Sequence, residues 1–347
     1  MKIGMLTGGG DCPGLNAVIR AIVYKGILHH QDNIYGIYGG WKGLLDGGRI
    51  APMLLEDVVN ILNLGGTILK TSRTNPFKHR NGIATVRKNI EKYELDAVIA
   101  IGGEDTLGVA DKLYEEGVKI IGVPKTIDND VSGTDQTFGF DTAVNIATEA
   151  IDRLRSTAES HNRVIVVEVM GRHSGWIAVR SGIAGGAHLI LVPEFPIDVD
   201  EVVRRIVKRH AREEQYSVVV VAEGATLKNE SGETKVVTFD HEKDEFGHIR
   251  LGGIAHILST VIREKTGYDC RTVTLGHIQR GGTPSAFDRV LSTQYGIHAI
   301  DLVHQGDFGK MVALRGVKIV STPLIEAMKK VKTIDREFYE IAEVFFG

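Results

Sequence analysis

The chain is poor in several features that mark other classes of protein. It has 2 cysteines and 8 prolines in 347 residues, which excludes a disulfide-stapled framework and a proline-rich disordered chain. No apolar run reaches the roughly eighteen residues of a membrane-spanning helix, and the amino terminus lacks the pattern of a signal peptide. A formal charge of -3 gives no broad basic field for nucleic acid or anionic membrane. We therefore expect a cytoplasmic protein with small-molecule ligands and neither nucleic acid nor membrane as a partner.

Short apolar runs recur along the chain between segments of helical spacing. Because 43% of the residues are hydrophobic, a chain of this length can bury a large core. The alternation of strands and amphipathic helices predicts an α/β fold with parallel sheets covered by helices on both faces. The runs that we interpret as buried strands are Ile3 to Thr7, Ala97 to Ile101, Ile120 to Val123, Val164 to Val169, Leu189 to Val192, Val218 to Val221 and Thr272 to Leu275.

Three later segments complete this outline. The polar stretch from Lys228 to Gly247 has no sustained period, which predicts a surface excursion. The segment from Gly281 to Gly306 has helical character. The segment from Met311 to Val320 is predicted to be extended and to return the chain to the first sheet.

The ends of three predicted strands carry glycines, carboxylates and a lysine. These loops are Gly8 to Gly14, Gly102 to Thr106 and Pro124 to Asp130. In an open parallel sheet, ligands bind beyond the carboxyl ends of the strands. Each loop alone is also ordinary turn and helix-cap chemistry. The coincidence of three such loops favours a single phosphate-handling site.

The first loop matches no complete nucleotide motif. It lacks the lysine and the serine or threonine of a Walker sequence, and it lacks the dinucleotide glycine spacing. Its glycines indicate that backbone N–H groups approach an anion, helped by the positive end of the following helix.

Arg172 and Arg280 each follow a later apolar run and stand beside glycines. Their guanidinium groups match the geometry of phosphate oxygens, and a surface salt bridge is the alternative. Taken alone, His277 is typical of a packed or capping histidine, but its place in this run near Arg280 favours a ligand-binding role.

Five strings in this chain, taken in order, resemble the phosphofructokinases. Within that family they are most similar to the bacterial group that contains pyrophosphate-dependent, mixed-substrate members. The resemblance covers nearly the whole chain. The strings are GGGDCPGLN from Gly8, GGEDTLG from Gly102, PKTIDND from Pro124, MGRHSGW from Met170 and LGHIQRGGTP from Leu275.

The resemblance implies a fold and an assembly. It implies an α/β protein of two doubly wound parallel-sheet domains with the active site in the cleft between them. The phosphoryl-donor domain is expected to comprise residues 1–139 plus about 277–323, and the sugar-phosphate domain residues 140–276 plus about 324–347. The family pattern also implies a homo-oligomer, dimer or tetramer, in which Arg163 and Arg271 act across a subunit interface.

The resemblance also implies a reaction and its residues. A phosphoryl group is transferred to the C1 hydroxyl of fructose 6-phosphate, and Asp128 matches the general base, which is ionised at neutral pH as a proton acceptor must be. Thr126 and Arg172 match positions that contact the transferring phosphate or the sugar, and Glu104 stands where most members carry an aspartate that supports Mg²⁺. The implied sugar-phosphate residues are Thr126, Asp128, Arg163, Met170, Gly171, Arg172, Glu223, Arg271, His277 and Arg280, and the implied donor residues are Gly10, Arg73, Gly103, Asp105 and Lys125.

Two of these positions bear on the phosphoryl donor. ATP-using members of the family typically carry glycine at the positions of Asp105 and Lys125. Asp105 would place a carboxylate where the α-phosphate of ATP should lie. Two like unit charges about 4 Å apart repel each other by roughly 1 kcal/mol in water and roughly 4 kcal/mol at an effective dielectric near 20. Lys125 adds a compact positive charge beside the transferable phosphates. The pair therefore predicts pyrophosphate as donor and a readily reversible reaction that serves glycolysis and gluconeogenesis.

Three alternatives stay open at this point. One is an ATP-dependent 6-phosphofructokinase that tolerates Asp105 and Lys125. A second is a nucleotide-phosphorylating kinase, which can carry a GGxDT-like string but does not explain PKTIDND together with HIQRGG. The third is a non-catalytic regulatory subunit, against which the presence of Asp128 and Arg172 argues.

Overall fold

A computed structural model describes residues 1–45, 48–212, 215–228 and 234–346. The chain divides into two compact units, each built from three segments. The first unit comprises Met1–Thr142, Asp244–His248 and Arg280–Val331, and the second comprises Ala143–Lys243, Ile249–Gln279 and Lys332–Gly347. Among the described residues, no helix combines the length and the apolar character that a bilayer crossing requires.

Strands and helices alternate along most of the chain, as the apolar periodicity predicts. The strands are β1 (Lys2–Thr7), β2 (Asn33–Ile37), β3 (Ile50–Pro52), β4 (Ala97–Gly102), β5 (Ile120–Pro124), β6 (Val164–Val169), β7 (Leu189–Leu191), β8 (Ser217–Ala222), β9 (Thr226–Lys228), β10 (Thr234–Val236), β11 (Thr238–Lys243), β12 (Ile249–Leu251), β13 (Cys270–Thr274), β14 (Lys310–Arg315) and β15 (Lys318–Pro323).

The helices are α1 (Leu15–His30), α2 (Trp41–Leu45), α3 (Leu55–Val58), α4 (Gly82–Lys92), α5 (Glu104–Glu115), α6 (Phe140–Ser160), α7 (Trp176–Ala184), α8 (Val199–His210), α9 (Ile254–Thr266), α10 (Ala286–Gln305), α11 (Glu326–Lys329) and α12 (Arg336–Glu343). Two short 3-10 helices cover Pro76–Lys78 and Gly276–Arg280. The helix predicted between Gly281 and Gly306 is thus confirmed as α10.

The sheet of the first unit has the strand order β15-β14-β5-β4-β1-β2-β3 among the described residues. Its central strands are parallel, whereas the edge strands β3 and β15 run antiparallel to their neighbours. β14 pairs with β5 and β15 pairs with β14, which confirms the predicted extended return of the chain to this sheet.

This strand order places the three predicted loops side by side. The chain passes from β1 to β2 on one side and later to β4 on the other side, so the switch in direction lies between β1 and β4. Thr7 at the end of β1 pairs with Ile101 on β4, and Gly102 at the end of β4 pairs with Pro124 on β5. Because ligands bind at such switch points beyond the carboxyl ends of the strands, this edge is the candidate donor site.

The second unit has a smaller parallel sheet, with the strand order β13-β6-β8-β7 among the described residues. β6 and β8 are fully buried, as expected for parallel strands covered on both faces. β13 differs from our prediction of a buried strand, because Arg271, Thr272 and Thr274 are exposed. All three exposed residues are polar, and β13 lies at an edge of the sheet.

The polar stretch from Lys228 to Gly247 is more regular than its composition predicts. Its described residues contain β10 and β11, which pair antiparallel with the flanking strands β9 and β12. The turn Asp244–His248 between β11 and β12 belongs to the first unit and not to a surface excursion. Phe246 explains this placement, because its ring packs against the hydrophobic core of that unit.

Candidate active site

The glycine-rich loop between β1 and α1 is fixed mainly through its own backbone. The N–H of Gly8 donates to the carbonyl of Ile101 at 2.9 Å, and the N–H of Gly9 donates to the carbonyl of Ser72 at 3.0 Å. These two amides bind protein carbonyls, so our prediction that the loop glycines turn their N–H groups toward an anion is wrong for both. Helix α1 begins directly after Gly14. The positive end of its dipole therefore lies at the end of this loop and favours an anion there.

Gly10 lies against the guanidinium of Arg280. A β-carbon on residue 10 would lie 2.6 Å from Nη1 of Arg280, a distance that real β-carbons do not show. The same Nη1 donates a hydrogen bond to the carbonyl of Asp11 at 3.3 Å. Arg280, which we predicted among the sugar-phosphate residues, is therefore placed in the first unit beside the glycine-rich loop.

Lys125 is the buried cation of this edge. Its side chain follows β5 and is 3% exposed, and Nζ donates to the carbonyl of Gly10. Burial lowers the pKa of the Lys125 ammonium, and the nearby Arg280 lowers it further, while Asp11 and Asp128 act in the opposite direction. A buried ammonium beside a second cation is poorly solvated, so this point favours an anionic ligand.

Glu104 and Asp105 form the first turn of α5, directly after Gly103. Burial raises the pKa of the Glu104 carboxyl, and the charge of Asp105 raises it further. His248 lies 2.9 Å from Asp105, measured from Nε2 to Oδ2. A β-carbon on Gly103 would make only an ordinary contact of 3.4 Å with the carbonyl of Lys125, so sterics do not explain the glycine there.

Arg73 is the remaining predicted donor residue. Its Nη1 lies 3.3 Å from Oδ2 of Asp244, and about half of the Arg73 side chain is exposed. Burial of Asp244 opposes its ionisation, but the backbone amides of His248 and Phe246 and the charges of His248 and Arg73 outweigh this and lower the pKa. Both Arg73 and Asp105 thus contact the turn between β11 and β12.

The loop after β5 holds the predicted general base in a fixed backbone. The amide of Asp128 donates to Oγ1 of Thr126 at 3.1 Å, and Oγ1 of Thr137 donates to the carbonyl of Thr126 at 2.7 Å. Asn129 takes the left-handed conformation at φ 53° and accepts the amide of Thr137 through Oδ1 at 3.1 Å. The Asp128 side chain is half-buried and close enough to Lys125 to stabilise its charge.

In the second unit, the ends of β6 and β8 carry the predicted sugar-phosphate residues. The amide of Met170 donates to Oε1 of Gln279 at 3.3 Å, and Gly171 has φ 141°, in the region that favours glycine. Arg172 and Glu223 follow β6 and β8 respectively, and both are half-buried. The parallel pairing of β6 with β8 brings these two loops to the same end of the sheet.

Arg163 and Arg271 share one carboxylate of the second unit. Nε of Arg163 lies 2.5 Å from Oδ2 of Asp269, and Nη1 of Arg271 lies 2.7 Å from Oδ1 of the same residue. The side chain of Arg271 is 54% exposed on the edge strand β13. His277, three residues beyond β13, is also exposed. The two arginines thus share one carboxylate of this unit.

A model of the phosphofructokinase family matches residues 2–303. The chain belongs to the phosphofructokinase family. The family predicted from the five sequence strings is thereby confirmed.

Relatives within this family carry two kinds of name. The chain is 58% identical over 348 residues to pyrophosphate--fructose 6-phosphate 1-phosphotransferase of Amycolatopsis methanolica, with 100% of each chain covered. It is 51% identical over 344 residues to ATP-dependent 6-phosphofructokinase 3 of Streptomyces coelicolor, with 99% of each chain covered.

A solved structure confirms the fold. Phosphofructokinase of Saccharomyces cerevisiae superimposes with a TM-score of 0.83 and 32% sequence identity over 99% of this chain. The match covers 50% of the yeast chain, so the present chain spans half of that length. The predicted α/β phosphofructokinase fold is therefore correct.

Sequence reasoning missed three residues whose side chains form ion pairs with the predicted site residues. Asp244 and His248 contact two predicted donor residues, and Asp269 contacts both Arg163 and Arg271, yet none of the three lies in a recognised string. One signal was present, because Phe246 is an aromatic residue in an otherwise polar stretch. Such a residue is often buried against another part of the protein.

Proposed function

We propose that this phosphofructokinase transfers a phosphoryl group from pyrophosphate to the C1 hydroxyl of fructose 6-phosphate, reversibly. The observation that carries the proposal is the pair of charges at the donor edge of the first unit. Lys125 presents a buried ammonium at the glycine-rich loop, and Asp105 presents a carboxylate in the first turn of α5. The name of the Amycolatopsis relative supports the same donor.

The proposed chemistry uses Asp128 as the base for the sugar hydroxyl. As the hydroxyl oxygen attacks phosphorus, the carboxylate accepts its proton, and the pyrophosphate bond breaks to release phosphate. Lys125 and Arg172 supply positive charge that stabilises the oxygens of the moving group. Thr126 holds the backbone of Asp128 through its hydroxyl group, which fixes the position of the base.

The proposed grip on the sugar phosphate comes from cationic and polar side chains. Met170, Gly171 and Glu223 are assigned to the sugar, since a carboxylate accepts hydrogen bonds from hydroxyls. His277 and Arg280 are assigned to its phosphate. We assign Arg163 and Arg271 to the phosphate of a neighbouring subunit in a homo-oligomer. The exposure of Arg271 on an edge strand supports this assignment.

Magnesium fits the carboxylates of the donor edge. Among the described residues, no group of three or more His, Cys, Asp or Glu side chains forms a metal cluster. Mg²⁺ is usually held by one or two carboxylates together with substrate phosphates and water. Glu104 fits this role, because a cation beside its poorly solvated carboxyl would stabilise the ionised form. When bound, the ion would neutralise charge on the pyrophosphate oxygens.

The second candidate function is an ATP-dependent 6-phosphofructokinase, which the name of the Streptomyces coelicolor relative favours. A donor comparison separates the two. Purified protein is assayed with fructose 6-phosphate and Mg²⁺ against pyrophosphate and against ATP, and in reverse with fructose 1,6-bisphosphate and phosphate. We expect kcat/KM for pyrophosphate to exceed that for ATP by one to three powers of ten. Equal or better use of ATP would reject the proposed donor, and absence of turnover with either would favour a regulatory subunit.

A further inference from the structure

The turn between β11 and β12 is a compact element with its own internal hydrogen bonds. We call residues Asp244–His248 the hairpin tip. Oδ1 of Asp244 accepts the amides of Phe246 and His248, each at 3.0 Å. The amide of Gly247 donates to the carbonyl of Asp244 at 2.9 Å. These bonds give the tip a defined conformation, so its side chains project in fixed directions.

The tip is anchored to the first unit at several points. Phe246 packs against the hydrophobic core that contains Trp41 and Val86. Oε2 of Glu245 accepts the amide of Asn75 at 2.7 Å. Neither of these contacts involves Arg73 or Asp105.

The two ends of the tip reach the predicted donor residues. Asp244 pairs with Arg73 at 3.3 Å, and His248 pairs with Asp105 at 2.9 Å. An ionised carboxylate only accepts hydrogen bonds, so Nε2 of His248 must carry the hydrogen and donate it to Oδ2 of Asp105. One oxygen of Asp105 is thereby held on the tip.

This contact resolves a difficulty in the proposed donor selectivity. A carboxylate that repels the α-phosphate of a nucleotide also repels pyrophosphate, which is itself strongly anionic. A hydrogen bond donated to the carboxylate draws its charge toward the donor and fixes its rotamer. We propose that His248 is a positioning residue for the phosphoryl donor: it holds Asp105 on the hairpin tip, so that this carboxylate rejects a nucleotide without repelling pyrophosphate. This inference rests on the proposed use of pyrophosphate.

The test compares substitutions at the tip in the full-length protein. His248→Phe keeps a ring but removes the donor, and His248→Gln keeps an N–H donor at a similar reach. Glu245→Ala is the matched control, since Glu245 belongs to the same tip but contacts Asn75 and His79 and neither Arg73 nor Asp105, while Phe246 still anchors the tip. The readouts are KM for pyrophosphate, KM for fructose 6-phosphate and the melting temperature of each variant. Should His248→Phe not fold, His248→Leu takes its place.

Both partners of the pair are about one-third exposed, with side-chain exposures of 30% and 37%, so a moderate effect is expected. His248→Phe should raise KM for pyrophosphate about three- to fivefold and leave KM for fructose 6-phosphate within about twofold. His248→Gln and Glu245→Ala should stay within about twofold of wild type. In an Asp105→Gly background, His248→Phe should lose its effect, because its partner is absent.

Several results would overturn the inference. They are an unchanged KM for pyrophosphate in His248→Phe, an equal rise in Glu245→Ala, or an effect that persists in the Asp105→Gly background. Wild-type protein that does not turn over pyrophosphate would reject the proposed function together with this inference. Active wild-type protein with an indifferent His248→Phe variant would reject this inference alone.

Discussion

Gly10 and Arg280 approach each other so closely that a β-carbon on residue 10 would lie 2.6 Å from Nη1 of the arginine. The two residues lie 270 positions apart in the chain, yet both lie close to Lys125. The carbonyl of Gly10 accepts a hydrogen bond from Nζ of Lys125, and the charge of Arg280 lowers the pKa of that ammonium. The close approach at position 10 is to the flexible end of a side chain, which would have to move if residue 10 carried a β-carbon. The guanidinium group can rest on the glycine-rich loop only because residue 10 has no side chain.

Gly10→Ala should impair the donor site and leave the fold intact. The methyl group would displace Arg280, whose long side chain can move at little cost to stability. We expect kcat/KM for pyrophosphate to fall about ten- to a hundredfold, since small displacements at a reacting centre have effects of that size. Gly281→Ala is the control, because a β-carbon there meets no described atom within 4 Å. Equal kinetics of the two variants would contradict this account of Gly10.

The ammonium of Lys125 should give the reaction an alkaline limb. Burial lowers its pKa, so the charge that attracts pyrophosphate is present at low pH and is lost as the pH rises through that lowered value. We expect kcat/KM for pyrophosphate to fall in that range, and Lys125→Arg to shift the fall to higher pH because arginine stays charged. A pH profile of initial rates measures both.

Protein stability provides the control for this pH profile. In the window between the folded and unfolded pKa values of Lys125, the unfolded chain binds more protons than the folded chain. Its contribution to the free energy of unfolding therefore rises with pH, while activity falls. Loss of activity that coincides with thermal destabilisation over the same window would mean that unfolding, and not deprotonation, causes it.

The sequence predicted correctly that the loops after β1, β4 and β5 lie at one edge of the sheet, because the physical basis of this arrangement is local. Strand-length apolar runs predicted β1, β4 and β5, and the carboxyl ends of neighbouring parallel strands necessarily share one edge of a sheet. The pairing of Asp105 with His248 was not predictable in this way. The two residues are separated by 143 positions, and their contact depends on Phe246 anchoring the tip in the first unit.

Two wrong predictions have equally specific causes. Which glycine amides face a ligand depends on the neighbouring loop, and the carbonyl of Ser72 takes the amide of Gly9. Apolar pattern also does not distinguish a central strand from an edge strand. The run from Thr272 to Leu275 was predicted to be buried, although Thr272 and Thr274 are polar and both are exposed in β13.

Asp128→Asn should remove the proton acceptor while keeping the shape of the site. Asparagine preserves the volume of the side chain but cannot take the proton of the sugar hydroxyl. We expect kcat to fall about a hundred- to ten-thousandfold, as general-base catalysis contributes on that scale. The affinity for fructose 6-phosphate, measured by calorimetry, should stay within about twofold. A loss of affinity that matches the loss of kcat would indicate a binding role in place of a base.

Replacing Asp105 and Lys125 together by glycine should change the donor preference. The double variant loses the cation that attracts pyrophosphate and the carboxylate that repels a nucleotide. We expect kcat/KM for pyrophosphate to fall and that for ATP to rise, with a combined shift of about one to three powers of ten. The single variants separate the two contributions. Asp105→Gly should mainly raise kcat/KM for ATP, and Lys125→Gly should mainly lower kcat/KM for pyrophosphate. Unchanged pyrophosphate kinetics in the double variant would contradict the assigned donor site.

Arg271 and Asp128 should complement each other between subunits. If Arg271 serves a neighbouring subunit, a hetero-oligomer of Arg271→Ala and Asp128→Asn chains contains sites with both residues intact. We therefore expect two differently tagged, nearly inactive chains to regain activity when they are co-expressed and purified through both tags. Hetero-oligomers of Asp128→Asn with Asp128→Ala are the control, because every site then lacks the base. If the mixed protein stayed as inactive as that control, Arg271 would serve the active site of its own chain.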